Sequence, residues 1–595
     1  MVGTFWYLAG FDGGFETAAV RLAGLGLLAT GAGGVAVLEA SRLPTTARIL
    51  LAGWGLGALA SLTFASVRSD FVHPALTYGL VPIVALSGMR LWRRRWGPGA
   101  VLLILLASLG SYWQNALWSW WGQILSDSPG PAWQPLSWHN QSSILMGALG
   151  VVFLGATLTG GRLTAAACGL ASTAALAGCW LSGSRGGVAA TALGITVTVL
   201  AALRLKGRRR PLPRLGAVLL SAVLLVGLLL HLPGGSGPTT HPLAARAEPV
   251  DGALQLRLDH IQAGLGMFSA RPLWGHGLGS YGRVAAQFSS PSAHLTSSAH
   301  SEPAEALAEG GLAFGLPFIA AYLAAATLVA LALLRPHRLM GPLAGPSEVR
   351  GPLALGAAGV VAALLLHGAA DFDWLYPVLP ALLALGVGIL CAETFRPSEG
   401  RWWEGLVVVP VVALLGAGGI GAAVESLGSG PAPWDATAAL SASLWLSGRE
   451  DYEEAERSLV RAAAWNPGDS RLATVGAVLH YQAGFASPED LTATLHVGRS
   501  PFSMFNLVAE VLIDGGDYAE ARATLQEVLA SYPSHLAWRP QGAARLTWAL
   551  AIRLEGETRG CRSALQAGRR ASADPLVGES GDSLARLARS YCQGQ

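Results

Sequence analysis

Twelve apolar runs of membrane-spanning length leave this chain few ways to fold. They lie near 18–40, 46–67, 71–90, 98–117, 142–159, 163–181, 187–203, 215–232, 304–334, 351–370, 377–395 and 404–424. A hydrocarbon core about 30 Å thick takes about 20 apolar residues per helical crossing and offers no water to an open backbone. Helices satisfy their own backbone, so the expected class is all-α: a polytopic bundle of about 12 transmembrane helices. Composition agrees, since 13% of the 595 residues are charged against about a quarter in a soluble protein. Residues 1–16 lack the basic start and long apolar core of a cleavable signal. No nucleic-acid partner is expected.

Arginine placement sets the orientation. One set of connections holds Arg42, Arg48, Arg90, Arg93 to Arg95, Arg162, the basic cluster 204–214, Arg335, Arg338, Arg350, Arg396 and Arg401. The other set holds Arg21, Arg68, Arg185 and four arginines in the loop 233–303. The count is 18 against 7, so the first set is expected in the cytoplasm. Both chain ends then face outward, with only a short lead before the first run; a helix missing ahead of it is the alternative.

The outer side thus carries a Trp-rich loop (118–141), the tight turn 182–187, the loop 233–303 and everything after about Glu425. The long loop opens on the flexible composition of 233–238. It then places Leu254, Leu258, Ile261, Leu265 and Phe268 at helical spacing, an amphipathic helix for the membrane surface or the protein's own bundle. A glycine-rich turn at 272–282 follows. Its backbone N–H groups can approach an anion, although the strand–loop–helix setting of a nucleotide fingerprint is missing.

The region 433–595 has another character: no run of spanning length, and an internal repeat. Asp451-Tyr452-Glu453-Glu454-Ala455 leads to Asn466-Pro467, and Asp517-Tyr518-Ala519-Glu520-Ala521 leads to Tyr532-Pro533. The tyrosines stand 66 residues apart, near two periods of a 34-residue helix-pair repeat, with Phe485 midway. This resembles tetratricopeptide repeats, an α-solenoid that binds protein or peptide. The expected domains are therefore 1–425, in the membrane, and 433–595, extracytoplasmic. Cys561 and Cys592 lie in the second domain and can pair if it is extracytoplasmic.

Candidate chemistry gathers on the outer side. His300 precedes a helix opened by Pro303, with Glu302, Glu305 and Glu309 in its first turns. From Pro303 to Leu334 that helix holds 32 residues, roughly 48 Å, so its start stands at the membrane surface. Arg185 sits in a short outward turn, where it either has a partner or snorkels. Arg257 lies in the long loop. Guanidiniums bind phosphate oxygens bidentately, and a neutral histidine accepts a proton from a hydroxyl. The set suits transfer from a lipid-linked diphosphate, without a metal. A surface histidine at a helix cap is the competing reading of His300.

The residues His300-Ser301, nine more, Gly311, three more, Gly315 match a signature of the O-antigen ligase family. Ser184-Arg185-Gly186 resembles that family's arginine turn. Leu256-Arg257-Leu258 before 272–279 resembles its second arginine and glycine-rich segment, and His367 to Phe372 a later element. The likeness spans about 100–395, with the repeats appended; His260 departs from the usual aromatic residue. It implies a GT-C-like membrane glycosyltransferase of lipopolysaccharide or related polysaccharide biosynthesis, in the bacterial inner membrane and facing the periplasm. The donor would be an undecaprenyl-diphosphate-linked glycan and the acceptor a hydroxyl, by an inverting mechanism with no cofactor or metal. His300, Arg185 and Arg257 would be catalytic, the arginines holding the diphosphate. Tyr281, His139 and Asn140 would bind the lipid-linked glycan, the last two through resemblance to a polar element near the lipid entrance, with an interfacial anchor as the alternative. His294 is a weaker substitute for His300. A protein O-oligosaccharyltransferase of the same superfamily, a transporter, or a scaffold using only the repeats for a protein partner are the other readings. A transporter would place its ionisable residues near mid-membrane.

The arginine count makes the topology testable. A reporter fused after Gln595 is expected to be active only outside the cytoplasm, and one inserted within 204–214 only inside. Reversal of either would remove the proposed active face.

Overall fold

The computed structural model describes residues 36–64, 71–126, 139–205, 211–230, 250–289, 296–339, 349–395, 401–427 and 439–531, less 38, 297, 441, 444–450, 467–468 and 497–501. The described residues are helical and contain no strand. Seven helices come first: α1 (Thr45–Thr63), α2 (Val72–Arg93), α3 (Gly97–Ser126), α4 (His139–Thr159), α5 (Arg162–Leu181), α6 (Arg185–Leu203) and α7 (Pro211–Leu230). Then follow α8 (Val250–Ala270), α9 (Glu302–Leu334), α10 (Arg350–Gly368), α11 (Val378–Thr394) and α12 (Val409–Leu427). Ten of these are long and apolar enough to cross a membrane, and α11 is a shorter apolar helix. They answer to eleven of the twelve runs; the run 18–40 falls almost wholly outside the described residues. So do 233–238, His294, Cys561 and Cys592.

Two compact units divide the chain. The first comprises 1–63, 71–253 and 300–427; the second comprises 64–70, 254–299 and 428–595.

In the first unit α4 is the central helix. Every residue from Gln141 to Thr159 is buried, as expected of a helix that is apolar all round. It packs on α5, α6 and α10. The crossing with α10 is set by small residues, because a Cβ on Gly155 would stand 2.5 Å from the Gly356 nitrogen. Membrane helices lack a hydrophobic force between them and rely on such close approach. One end of the bundle is held by arginines from the richer set. Arg93 meets buried Glu39 at 2.9 Å, Arg350 meets Glu393 at 2.8 Å and Arg48 pairs with Glu404. Arg214 donates to the Thr157 and Gly160 carbonyls that α4 leaves open at its C-terminus, at 3.0 and 3.1 Å. The starts of α4, α6 and α9 therefore lie at the opposite end.

The helix expected from Pro303 to Leu334 is α9, and it is not continuous: Gly311 has φ 57°, ψ −157°. That region of backbone space is nearly restricted to glycine, which gives the Gly311 of the signature a physical reason. Around the break pack Trp54, Tyr78, Phe314, Phe318 and Trp374. Ring centroids are 4.8 Å apart for Tyr78–Phe314 and 5.1 Å for Phe318–Trp374. Ser61 donates to the Glu309 carbonyl at 3.0 Å.

In the second unit, the stripe on α8 is divided: Leu254, Leu258 and Leu265 are 56%, 43% and 46% exposed, while Ile261 and Phe268 are half-buried. The buried face is His260, Ala263 and Met267. Further on stand α13 (Tyr452–Trp465), α14 (Ser470–Gln482), α15 (Pro488–His496), α16 (Phe502–Gly515) and α17 (Tyr518–Ser531). The two repeat tyrosines open helices of equal length, 14 residues each. One apolar cluster joins Leu459, Val475 and Leu479, another Val478, Leu491, Leu512 and Leu525. Phe485 is exposed in the turn before α15.

Gly311→Ala is expected to lower the stability of the purified protein by roughly 1–3 kcal/mol, the cost of a sparsely populated backbone state. Gly416→Ala, on an exposed helical face with nothing near the added Cβ, should be neutral or mildly stabilising. Equal thermal-unfolding midpoints for Gly311→Ala and the parent would show the break is not needed.

Candidate functional site

The site of the first unit is built where three helices start and the α10–α11 connection passes over them. Its centre is Asp371, 1% exposed. A buried carboxylate costs several kcal/mol unless its lone pairs are filled, and here they are. Asn140 Nδ2 donates to Oδ2 at 2.7 Å, while Gln141 Nε2 at 3.3 Å and the Phe372 backbone N–H at 2.9 Å donate to Oδ1. Central α4 delivers both amides, since Asn140 and Gln141 belong to its first turn.

Two predicted site residues are tied to this carboxylate from opposite sides. Ser184 is the N-cap of α6, accepting from the Gly187 N–H at 3.0 Å, and its hydroxyl donates to Asn140 Oδ1 at 2.6 Å. Arg185 is the first residue of that helix and is exposed, so its charge adds to the positive end of the helix dipole. On the other side His300 Nδ1 lies 3.6 Å from Asp371 Oδ1. The His300 ring stands edge-on to Phe372, centroids 4.8 Å apart. Its backbone has φ 49°, the one positive φ among described residues other than glycine. Histidine tolerates this region better than most residues, and the bend turns the chain from the loop into α9. Hydrogen bonds thus join the arginine turn through Ser184 and Asn140 to Asp371, which faces His300 across 3.6 Å.

The same connection carries a second pair. His367 Nδ1 lies 2.7 Å from Asp373 Oδ1, both buried. Burial raises the Asp373 carboxyl above its ordinary value, and His367 pulls it partly back. A Cβ on Gly186 would be 3.9 Å from His367 Nε2, so this pair backs the arginine turn. Glu302 is also buried and accepts from the Trp374 N–H at 2.8 Å, locking the start of α9 to the connection.

His139 is half-buried as the first residue of α4. Arg257 is half-buried on α8 and belongs to the second unit, as does Tyr281. Tyr281 is buried, and its hydroxyl donates to the His260 carbonyl at 2.6 Å, which ties the glycine-rich turn to α8. In that turn Gly275, Gly277 and Gly279 all have positive φ. The amides of Gly275, Ser280 and Arg283 are spent on carbonyls within the segment, which reduces what it can offer an anion. Sequence reasoning did not assign roles to Ser184, Gln141 or Asp373. The available signal was their position: a serine just before a helix, an amide at the start of an all-apolar helix, and carboxylates in a short connection between two buried ones.

Residues 170–319 match the family model described as O-antigen ligase. The match takes in Arg185, Arg257, the glycine-rich turn, His300, Gly311 and Gly315, and stops short of Asn140 and Asp371. No curated protein matches the chain.

Burial takes His276, in the glycine-rich turn, from 6.5 down to about 4. Its hydrogen bond to the Met267 carbonyl raises it and nearby Arg271 lowers it, both less than burial. The folded segment holds His276 neutral, so its stability is full above about pH 6.5 and falls as pH drops toward 4, by on the order of 3 kcal/mol in all. Limited proteolysis is expected to cut 271–288 faster at pH 5 than at pH 7.5, and His276→Gln should flatten the difference. Equal rates at both pH values in the parent would remove this account.

Proposed function

We propose that this chain, a member of the O-antigen ligase superfamily through residues 170–319, transfers a glycan from an undecaprenyl-diphosphate-linked donor to an acceptor hydroxyl. The observation that carries the proposal is the chain of hydrogen bonds from the Arg185 turn through Ser184 and Asn140 to Asp371, whose carboxylate faces His300 Nδ1 at 3.6 Å. It holds an anion-binding cation and a proton acceptor on one frame of helix starts. In this reading the acceptor hydroxyl attacks the anomeric carbon and gives its proton to His300. The anomeric C–O bond breaks, and undecaprenyl diphosphate leaves with the electron pair. Asp371 beside His300 stabilises the imidazolium that forms, the role a buried aspartate has in hydrolytic triads. Arg185, with the N-terminus of α6, stabilises charge developing on the diphosphate. The family resemblance also assigns Arg257, Tyr281, His139 and Asn140 to donor binding. Attack from the face opposite the leaving group inverts the anomeric centre and calls for no metal.

The arginine asymmetry supports the placement of this face in the periplasm of a bacterial inner membrane. In this reading the region after the last membrane helix is extracytoplasmic as well. Its repeat pattern supports a tetratricopeptide scaffold that holds the acceptor or a protein partner and does no chemistry.

A general base contributes roughly 10²–10⁴-fold, so His300→Ala is expected to lower kcat by that factor while donor binding persists. Arg185→Lys keeps the charge but loses bidentate contact and should lose most of the activity. With purified enzyme and lipid-linked donor, unaltered rates in both would leave His300 and Arg185 as structural groups. In the same assay, a chain truncated before Trp434 should still transfer to a simple acceptor. Complete loss of turnover in that folded truncation would place part of the active site in the repeats.

A further inference from the structure

Below Arg185 the first unit has a groove of about 570 Å³ between α5, α6 and α7. Its position follows from the helices. On α6 its lining begins at Val188 and ends at Ile195, three and ten residues past Arg185, or about 4–15 Å along the axis at 1.5 Å per residue. Cys179 and Trp180, in the last turn of α5, line it from the side nearest the arginine turn, and Leu219 to Gly227 of α7 close it opposite. Its lining is almost wholly apolar. The few polar atoms are engaged within the protein: Thr191 donates to the Gly187 carbonyl at 2.7 Å, and Cys179 lies 3.3 Å from Ser143 Oγ. On α7, Leu219 and Val223 are partly open outward, so the groove communicates with surrounding hydrocarbon. Small residues (Ala192, Ala222, Gly227) alternate along it with branched ones. That relief fits a chain bearing methyl branches better than a straight acyl chain.

We infer that this groove holds the first isoprene units of the donor's polyprenyl chain, with the diphosphate at Arg185 and the start of α6. The inference rests on the function proposed above and assigns a part of the donor that the path from Arg185 to His300 does not touch. The reason for one occupant is continuity. A lipid whose anionic head sits at Arg185 must send its chain down the α6 face, and the cavity begins one helical turn below that residue. Its volume is that of an ordinary small-molecule site, so it takes the head-proximal part of the chain and leaves the rest to the bilayer.

The test fills the groove without touching Arg185. Ala192 is exposed to it, so Ala192→Trp on α6 projects into the space, and Ala222→Leu narrows it from α7. Leu170→Trp, on a lipid-facing position of α5 that is 75% exposed and not part of the lining, is the control. Binding of undecaprenyl diphosphate and of dioleoyl phosphatidic acid to the full-length protein is measured by native mass spectrometry. Ala192→Trp and Ala222→Leu are each expected to weaken undecaprenyl diphosphate tenfold or more, and Leu170→Trp to leave it unchanged. Phosphatidic acid should respond to none of them. Retained undecaprenyl diphosphate affinity in both groove variants overturns the inference, as does an equal loss for phosphatidic acid, which would mark a general lipid crevice. Glycan transfer, measured alongside, separates the two claims. A parent protein that binds undecaprenyl diphosphate through the groove but transfers nothing would fail the proposed function and leave the groove standing. One that transfers normally with the groove filled would fail only the groove.

Discussion

The membrane unit depends on satisfying one buried carboxylate. Asp371 lies among apolar helices, where an uncompensated charge would cost more than most single contacts return. Three donors and a nearby histidine settle it, drawn from three places in the chain. Asn140 and Gln141 come from the start of α4, the amide from the connection itself and His300 from the turn into α9. Because hydrogen bonds to a charged group are worth about 1.5–3 kcal/mol each, these segments are held in one arrangement. The position of His300 beside Asp371 belongs to the same arrangement.

Rigid helices at a membrane surface also explain why the site needs unusual backbone. A straight α9 would carry its first turn wherever the bundle axis pointed. The break at Gly311 lets the segment carrying Glu302 and Glu305 follow the α10–α11 connection, while the rest of α9 follows the bundle. His300 then reverses the chain at a positive φ. Both features lie where local strain is useful, beside groups that must be preorganised. Trp54, Tyr78, Phe314 and Trp374 pack on one another beside the break.

The second unit shows a different division of surfaces. On α8 three of the five residues of the apolar stripe, Leu254, Leu258 and Leu265, are exposed, and the buried residues are His260, Ala263 and Met267. An amphipathic helix with its apolar side outward makes sense where the surroundings are lipid rather than water. Periodicity alone gives the existence of such a face and not the identity of what meets it. The buried His260, an unexpected residue after Arg257, is tied in through its carbonyl, which takes the Tyr281 hydroxyl.

Eleven of the twelve apolar runs, the arginines gathered at one end of the bundle and the family likeness of the stretch from His300 to Gly315 could be read from the chain by itself. Each is a property of short segments: a run long enough to cross hydrocarbon, a charge that prefers one side, a glycine spacing. The signature residues were legible for the same reason. The sequence by itself did not determine that Ser184, Asn140 and Asp371 join the arginine turn to His300, since 231 residues separate Asn140 from Asp371. Nor did it determine that α9 breaks at Gly311, which depends on packing from α1, α2 and the α10–α11 connection. Those were decided by tertiary structure, because a buried carboxylate recruits donors by proximity in space, wherever in the chain they happen to lie.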